Sequence, residues 1–271
     1  MHALRSMRFS PSHKRNFERM GTWLARPIAH RGLHNNHTGV IENTASAFKY
    51  AIQQGYCIET DLQESADDIP MVFHDATLDR LTKGKGPLRA YSAADLKRVE
   101  YLDSADDFWT LDDLLDFVAG RTPLLLEIKQ ESEKGAARFA ARIVKSLNSY
   151  AGSVAVMSFE PSVVAAFQAL SPQTPRGLVA MRFLRNEWPE LSALERFRRT
   201  HLLSYNAVRP HFVAYNWRDL PAAGPTFARN ILKLPMFVWT VRGGDVSAPA
   251  VQSADNIIFE SFDTDAWRQS P

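Results

Sequence analysis

Short apolar runs rich in β-branched residues recur along the chain, and between them lie stretches whose apolar positions repeat at helical spacing. The runs predict strands over residues 27–30, 56–62, 71–74, 124–129, 153–158, 177–180, 212–215, 236–241 and 256–259. Strands alternating with helices predict parallel strands joined by crossover helices, the pattern of an α/β TIM (β/α)8 barrel. Nine strands are one too many for that barrel. The link from Leu62 to Met71 is also too short for a helical crossover, which needs roughly a dozen residues. One of the two segments it joins is therefore expected to be an extension or a hairpin arm.

Two helices carry end signals. Asn43 and Thr44 are placed to cap a helix with Ala45, Phe48, Ala51 and Ile52 on one stripe, ending at Gly55. Thr110 and Asp113 form a capping-box pair ahead of Leu114, Leu115 and Val118, ending at Gly120. Between about residues 78 and 109 the pattern loosens into turn-rich and polar stretches, which predicts a small insertion after the His74 segment, placed to wall a site at the barrel mouth. The expected organisation is a basic leader over residues 1–25 and a barrel over residues 26–271.

Positions two apart on a strand share a face, so Glu59 and Asp61 point the same way, as do Glu127 and Lys129. Clustered carboxylates need compensating positive charge. Three oxygen donors with no cysteine cluster suit a hard divalent cation, Mg²⁺ or Ca²⁺, with Mn²⁺ a further candidate. An ion-pair network closed by Lys129 is the competing reading. His30 and His74 each finish a predicted strand and precede a charged residue, which is where barrel enzymes place catalytic groups. Two such imidazoles beside carboxylates and Arg31 suit paired proton transfer in the cleavage of a phosphodiester. Glu42 and Asn43 read equally as helix capping or as support for the metal site. Trp239, late in a strand, reads equally as the floor of a substrate site or as core. His34 and His37 lie in a loop rich in Asn and Gly and are expected to be solvated, and Cys57 is expected to fill core.

Composition narrows the class. The chain has 271 residues, 45% of them apolar and 23% charged, with a net charge of +2, so neither disorder nor a nucleic-acid partner is indicated. A single cysteine excludes an intrachain disulfide and points to a reducing, cytoplasmic setting. No apolar stretch reaches the roughly 18 residues of a transmembrane segment. The leader carries Arg5, Arg8, Lys14, Arg15 and Arg19 without the apolar stretch of a secretory signal. It is read as solvated in preference to making a peripheral membrane contact.

Several motifs fall in one order: Ala29-His30-Arg31-Gly32, Glu42-Asn43-Thr44, Glu59-Thr60-Asp61, His74-Asp75, residues 78–82, Glu127-Ile128-Lys129, Ser158-Phe159 and Trp239-Thr240-Val241. Together they resemble the glycerophosphodiester phosphodiesterase family. The resemblance implies a TIM barrel with a small insertion after the second histidine, one divalent cation, and hydrolysis of a small glycerophosphodiester to an alcohol and glycerol 3-phosphate. By position it puts metal ligands on Glu59, Asp61 and Glu127, with Glu42 close by. It puts the catalytic pair on His30 and His74, phosphate contacts on Arg31 and Lys129, and an aromatic contact on Trp239. It also implies that the glycerol 2-hydroxyl attacks first and that water opens the resulting cyclic phosphate; we assign His30 as first base and His74 as first acid, with the roles reversed in the second step.

The chain departs from the family pattern at Ile41, at Arg242 and over residues 256–260. None of these removes a proposed ligand or imidazole, and Arg242 suggests an anionic head group on the substrate. The competing functions are a lysophospholipase D-like lipid phosphodiesterase, a non-catalytic barrel that binds a phosphorylated ligand, and a metal-dependent sugar isomerase.

Overall fold

A computed structural model describes residues 18–35, 38–130, 133, 135–262 and 264. His37 and residues 1–17 of the predicted leader lie outside them. Nine strands form one sheet: β1 (Ile28–Ala29), β2 (Cys57–Glu64), β3 (Pro70–Val72), β4 (Leu124–Ile128), β5 (Val154–Ser158), β6 (Arg176–Ala180), β7 (Phe212–Asn216), β8 (Met236–Val241) and β9 (Asn256–Phe259). β1 pairs in parallel with both β2 and β9, which closes eight parallel strands into the barrel. The surplus strand is β3. It folds back antiparallel on an extended β2, with Leu62 opposite Val72, because five residues between them allow a turn and no crossover helix.

Alternation along the strands builds two cores. Cys57, Leu125, Val179, Phe212 and Phe237 point into the barrel, while Ile58, Leu62, Leu124 and Leu126 point out under the helices. Helix α1 (Gly21–Leu24) closes the lower end of the barrel. Met20 and Trp23 are buried among the inward residues, and the Trp23 indole donates to the Leu124 carbonyl at 3.2 Å. The stretch from Met20 to Leu24, expected as the end of a solvated leader, is therefore a plug. Two apolar side chains among arginines leave too faint a pattern to announce it.

The remaining helices are α2 (Ala45–Gln53), α3 (Ala93–Leu96), α4 (Leu111–Val118), α5 (Ala136–Leu147), α6 (Pro161–Leu170), α7 (Ala193–Thr200), α8 (Tyr205–Val208), α9 (Ala223–Asn230) and α10 (Pro249–Gln252). The capping box of α4 forms as expected. The Thr110 hydroxyl accepts from the Asp113 amide at 3.2 Å and the Asp113 carboxylate from the Thr110 amide at 2.9 Å, a motif that contributes about 1 kcal/mol. At α2 the expectation fails. Thr44 takes the capping position but donates its hydroxyl to the Ile41 carbonyl, and the Asn43 side chain turns into the barrel mouth. The excursion between His74 and Trp109 packs its own apolar cluster of Leu78, Leu88, Leu96, Tyr101 and Phe108 against Met71 and Phe73 of the hairpin arm.

Candidate active site

The site is built from the upper ends of β1, β2, β4, β8 and β9. Glu59 and Asp61 alternate inward on β2, and Asp61 is in register with Glu127 of β4. Ligand oxygens of Glu59, Asp61 and Glu127 lie within 4.8 Å of one another, and all three side chains are buried.

The turn after β1 takes a left-handed conformation at Arg31 (φ 56°) and Gly32 (φ 78°), which aims the Arg31 amide at Glu59 Oε2, 2.9 Å away. A Cβ on Gly32 would stand 2.9 Å from Ala47, so glycine alone lets this turn lie against α2. The Arg31 guanidinium donates to Glu42 at 2.7 Å and lies 3.4 Å from Asp61. Lys129 Nζ lies 3.0 Å from Asp61 Oδ1 and also donates to Glu127.

An ion-pair network is therefore present, but it does not close. Glu42, Glu59, Asp61 and Glu127 face two cations, Arg31 and Lys129, and Arg80 divides its charge between Glu42 and Asp75. Burial would raise the Asp61 carboxyl, but the charges of Lys129, His74, Arg31 and His30 hold it well below the usual range. Glu59 goes the other way. Burial first, then the charges of Asp61 and Glu127, push it well above the usual range, and its Oε1 is buried with no hydrogen-bond partner. An orphaned oxygen in a trio of all-oxygen donors with surplus negative charge fits a hard divalent cation.

The imidazoles flank this trio. His30 follows β1 directly, and its Nδ1 lies 2.5 Å from Glu260 Oε1 at the end of β9, with its Nε2 3.9 Å from Glu59. Burial lowers the proton affinity of His30 by more than the Glu260 hydrogen bond raises it. His74 does not finish its own strand as expected, and that strand is the hairpin arm. It lies two residues past β3, where the Phe73 amide donates to the Asp61 carbonyl at 3.1 Å and Gln63 donates to the His74 carbonyl at 2.9 Å. The chain reversal thus carries His74 back to the mouth. Its Nδ1 lies 2.7 Å from Asp75, which is held by Arg80 at 2.6 Å.

His30, His74, Glu127 and Lys129 line a cavity of about 810 Å³ together with Phe159, Trp188 and Trp239. Trp239 meets Phe159 edge-on, and its indole Nε1 is buried without an acceptor. Among the described residues Glu42 accepts from the guanidiniums of Arg31 and Arg80, so it supports the trio through Arg31. His34, expected in solvent, is largely buried 3.8 Å from Glu260. Arg242 does not line the cavity. Its guanidinium is spent on Glu260 at 2.6 Å, which removes the basis for reading it as a head-group contact.

Asn43 takes the second of its two expected roles, and Arg199 and Trp188 carried no clear signal in the chain. Asn43 donates to Asp61 at 2.9 Å and accepts from Thr60 at 2.7 Å, holding the central carboxylate in place. Arg199, braced by Glu160 at 2.8 Å, and Trp188 reach the cavity from the long excursion after β6. Asp75 could have been found from its place directly after His74.

Residues 30–263 match the model of the glycerophosphoryl diester phosphodiesterase family. The chain is 26% identical over 255 residues to a glycerophosphodiester phosphodiesterase of Caldanaerobacter subterraneus, covering 88% of this chain and 94% of that protein. Among solved structures it is similar to an Oleispira antarctica phosphodiesterase in complex with the product sn-glycerol-3-phosphate (TM-score 0.69, 21% identity, 88% of this chain and 94% of that one). It is also similar to a glycerophosphodiester phosphodiesterase of Parabacteroides distasonis (TM-score 0.67, 20% identity, 86% and 92%). At these identities the structural likenesses carry the barrel fold.

Proposed function

The chain belongs to the glycerophosphoryl diester phosphodiesterase family, and from that premise we propose that it hydrolyses glycerophosphodiesters to an alcohol and glycerol 3-phosphate by histidine acid/base catalysis beside a divalent cation. The observation that carries this reading is the convergence of the Glu59, Asp61 and Glu127 oxygens next to two imidazoles, each tied at Nδ1 to a carboxylate. Glu59, Asp61 and Glu127 would hold the cation. When bound, it supplies positive charge for the non-bridging oxygens of the phosphodiester.

With Nδ1 on Glu260, His30 keeps Nε2 free to take a proton, and its lowered proton affinity favours the neutral base. In the first step the glycerol 2-oxygen bonds to phosphorus as its proton passes to His30. The bond from phosphorus to the alcohol oxygen breaks, and His74 gives that oxygen a proton. In the second step water bonds to phosphorus as His74 takes its proton, the bond to the 2-oxygen breaks, and His30 returns a proton there. Arg31 and Lys129 border the phosphate position and steady the carboxylates around it. Trp239 lines the cavity and offers its ring to the substrate.

One observation favours the lysophospholipase D-like variant. Phe159 packs against both Trp188 and Trp239, and these three rings line the cavity as an aromatic group that suits a leaving group with apolar surface. A purely binding barrel needs neither of two carboxylate-oriented imidazoles. No helix among the described residues is long and apolar enough to cross a membrane, and the cytoplasm remains the proposed compartment on the strength of the lone cysteine. The test is coupled detection of glycerol 3-phosphate from several glycerophosphodiesters and lysophospholipids, after EDTA and with Mg²⁺, Ca²⁺ or Mn²⁺ restored. Release that needs a divalent cation supports the reading, and no release with any cation overturns it.

A further inference from the structure

Nine large apolar side chains are exposed among the described residues, and six of them, Leu184, Leu194, Phe197, Leu203, Phe227 and Ile231, fall on the quadrant that covers β6, β7 and β8. Helix α7 buries none of its residues, and Leu194 and Phe197, three apart, lie on one face. From there the apolar surface is continuous. The Phe197 ring stands 4.5 Å from that of His201, and His201, Leu203 and Phe227 line one groove. Phe227 and Ile231 line the next. Scattered apolar side chains need no explanation, but a contiguous strip marks an interaction surface.

Charge identifies what covers it. Residues 182–233 carry nine arginine and lysine side chains against four carboxylates; Arg199, Arg218 and Arg229 pair with Glu160, Asp245 and Asp255 from outside the segment, which leaves a net charge of +2 on this flank. A symmetric contact between two copies would set this basic face against itself, which like-charge repulsion disfavours. Apolar side chains interleaved with arginines suit the headgroup region of an anionic bilayer. The same segment reaches the catalytic cavity, since Trp188, Leu191 and Arg199 line it.

We propose that this flank docks on an anionic lipid bilayer and holds the mouth of the cavity at the membrane edge. The docking stands on surface chemistry alone. Its value to the enzyme, access to phosphodiesters leaving a membrane, rests on the phosphodiesterase reading.

The full chain is tested by co-sedimentation with vesicles of mixed phosphatidylglycerol and phosphatidylcholine and of phosphatidylcholine alone. Variants are drawn from exposed residues outside the cavity. The wild type is expected on the anionic vesicles and much less on the neutral ones. Arg198→Gln with Arg209→Gln should lower partition roughly 25-fold, at about fivefold per basic charge lost. Phe197→Ser with Phe227→Ser should lower it by at least roughly tenfold. Turnover of a water-soluble glycerophosphodiester should not change in either variant. The proposal is overturned if the wild type does not sediment, or if both double variants bind as well as it does. It is equally overturned if sedimentation velocity shows a dimer that these substitutions dissolve without any vesicle binding. Binding is read without turnover, so an inactive protein that docks would refute the phosphodiesterase reading and leave the docking intact.

Discussion

The Nδ1 of His30 meets the carboxylate of Glu260 at 2.5 Å because the barrel closes there: β1 and β9 pair with Ala29 opposite Phe259, so the residues that follow each strand face one another. Arg242 holds the other Glu260 oxygen at 2.6 Å, and the three side chains form one chain of contacts. Glu260 therefore positions His30 and fixes which of its nitrogens carries the proton. Glu260→Gln should cost about 10² in kcat with KM changed by no more than about threefold, and Glu260→Asp should recover part of the loss. Arg242→Ala should cost about tenfold and leave the preference among head groups unchanged. Steady-state kinetics check both, and a wild-type kcat in Glu260→Gln would dismiss the positioning role.

The second imidazole has its own support in Asp75 and Arg80. His74→Ala and His30→Ala should each lower turnover by roughly 10² to 10⁴ at saturating metal, the usual contribution of a general acid or base. Asp75→Asn keeps the ring but loosens its hold, so a loss of about tenfold is expected. Near-normal single-turnover rates in either alanine variant would remove that histidine from the reaction.

Much of this site was legible because strand periodicity is short-range. A repeat of two places Cys57, Glu59 and Asp61 on one face, and the short link after Leu62 announces that one segment folds back. The contacts that escaped are those a local pattern cannot encode. Glu260 reaches His30 only through closure of the whole barrel, 230 residues along the chain. Asn43 before a helix looks the same whether it caps the helix or holds a carboxylate, and here it holds Asp61. Trp188 and Arg199 arrive from an excursion with no strand end to mark their direction. The plug formed by Met20 and Trp23 rests on two side chains amid charge, too few for a periodicity.

Acid stability should report on His211, just before β7. Burial first, and then the charges of Arg176 and Arg19, lower its imidazole from 6.5 to about 3. The unfolded chain takes up a proton as pH falls below 6.5, while the folded protein refuses one until about 3. Stability from this site is therefore complete above pH 6.5 and is lost as pH falls across that window. His211→Asn cannot titrate, so its melting temperature should decline less steeply between pH 6.5 and 4 than that of the wild type. Parallel slopes in thermal melts would mean that His211 is protonated in the fold.

Metal removal gives the sharpest test of the carboxylate trio. Two unit charges about 5 Å apart repel by about 3 kcal/mol at an effective dielectric near 20, and Lys129 and Arg31 offset only part of that among Glu59, Asp61 and Glu127. In EDTA, Glu59→Gln removes one of the crowded charges and should melt at or above the wild type. Cation at about 100 times its Kd stabilises the wild type by about 2.7 kcal/mol, which at about 2–4 °C per kcal/mol is a rise of roughly 5–10 °C. The variant has lost both a charge and a ligand oxygen, so its rise should be less than about half as large, with the midpoint at higher cation concentration. Thermal melts across titrations of Mg²⁺, Ca²⁺ and Mn²⁺ separate the two effects. A loss of stability in EDTA together with an undiminished cation response would make Glu59 a structural partner of Arg31, and the cation would then have to sit elsewhere.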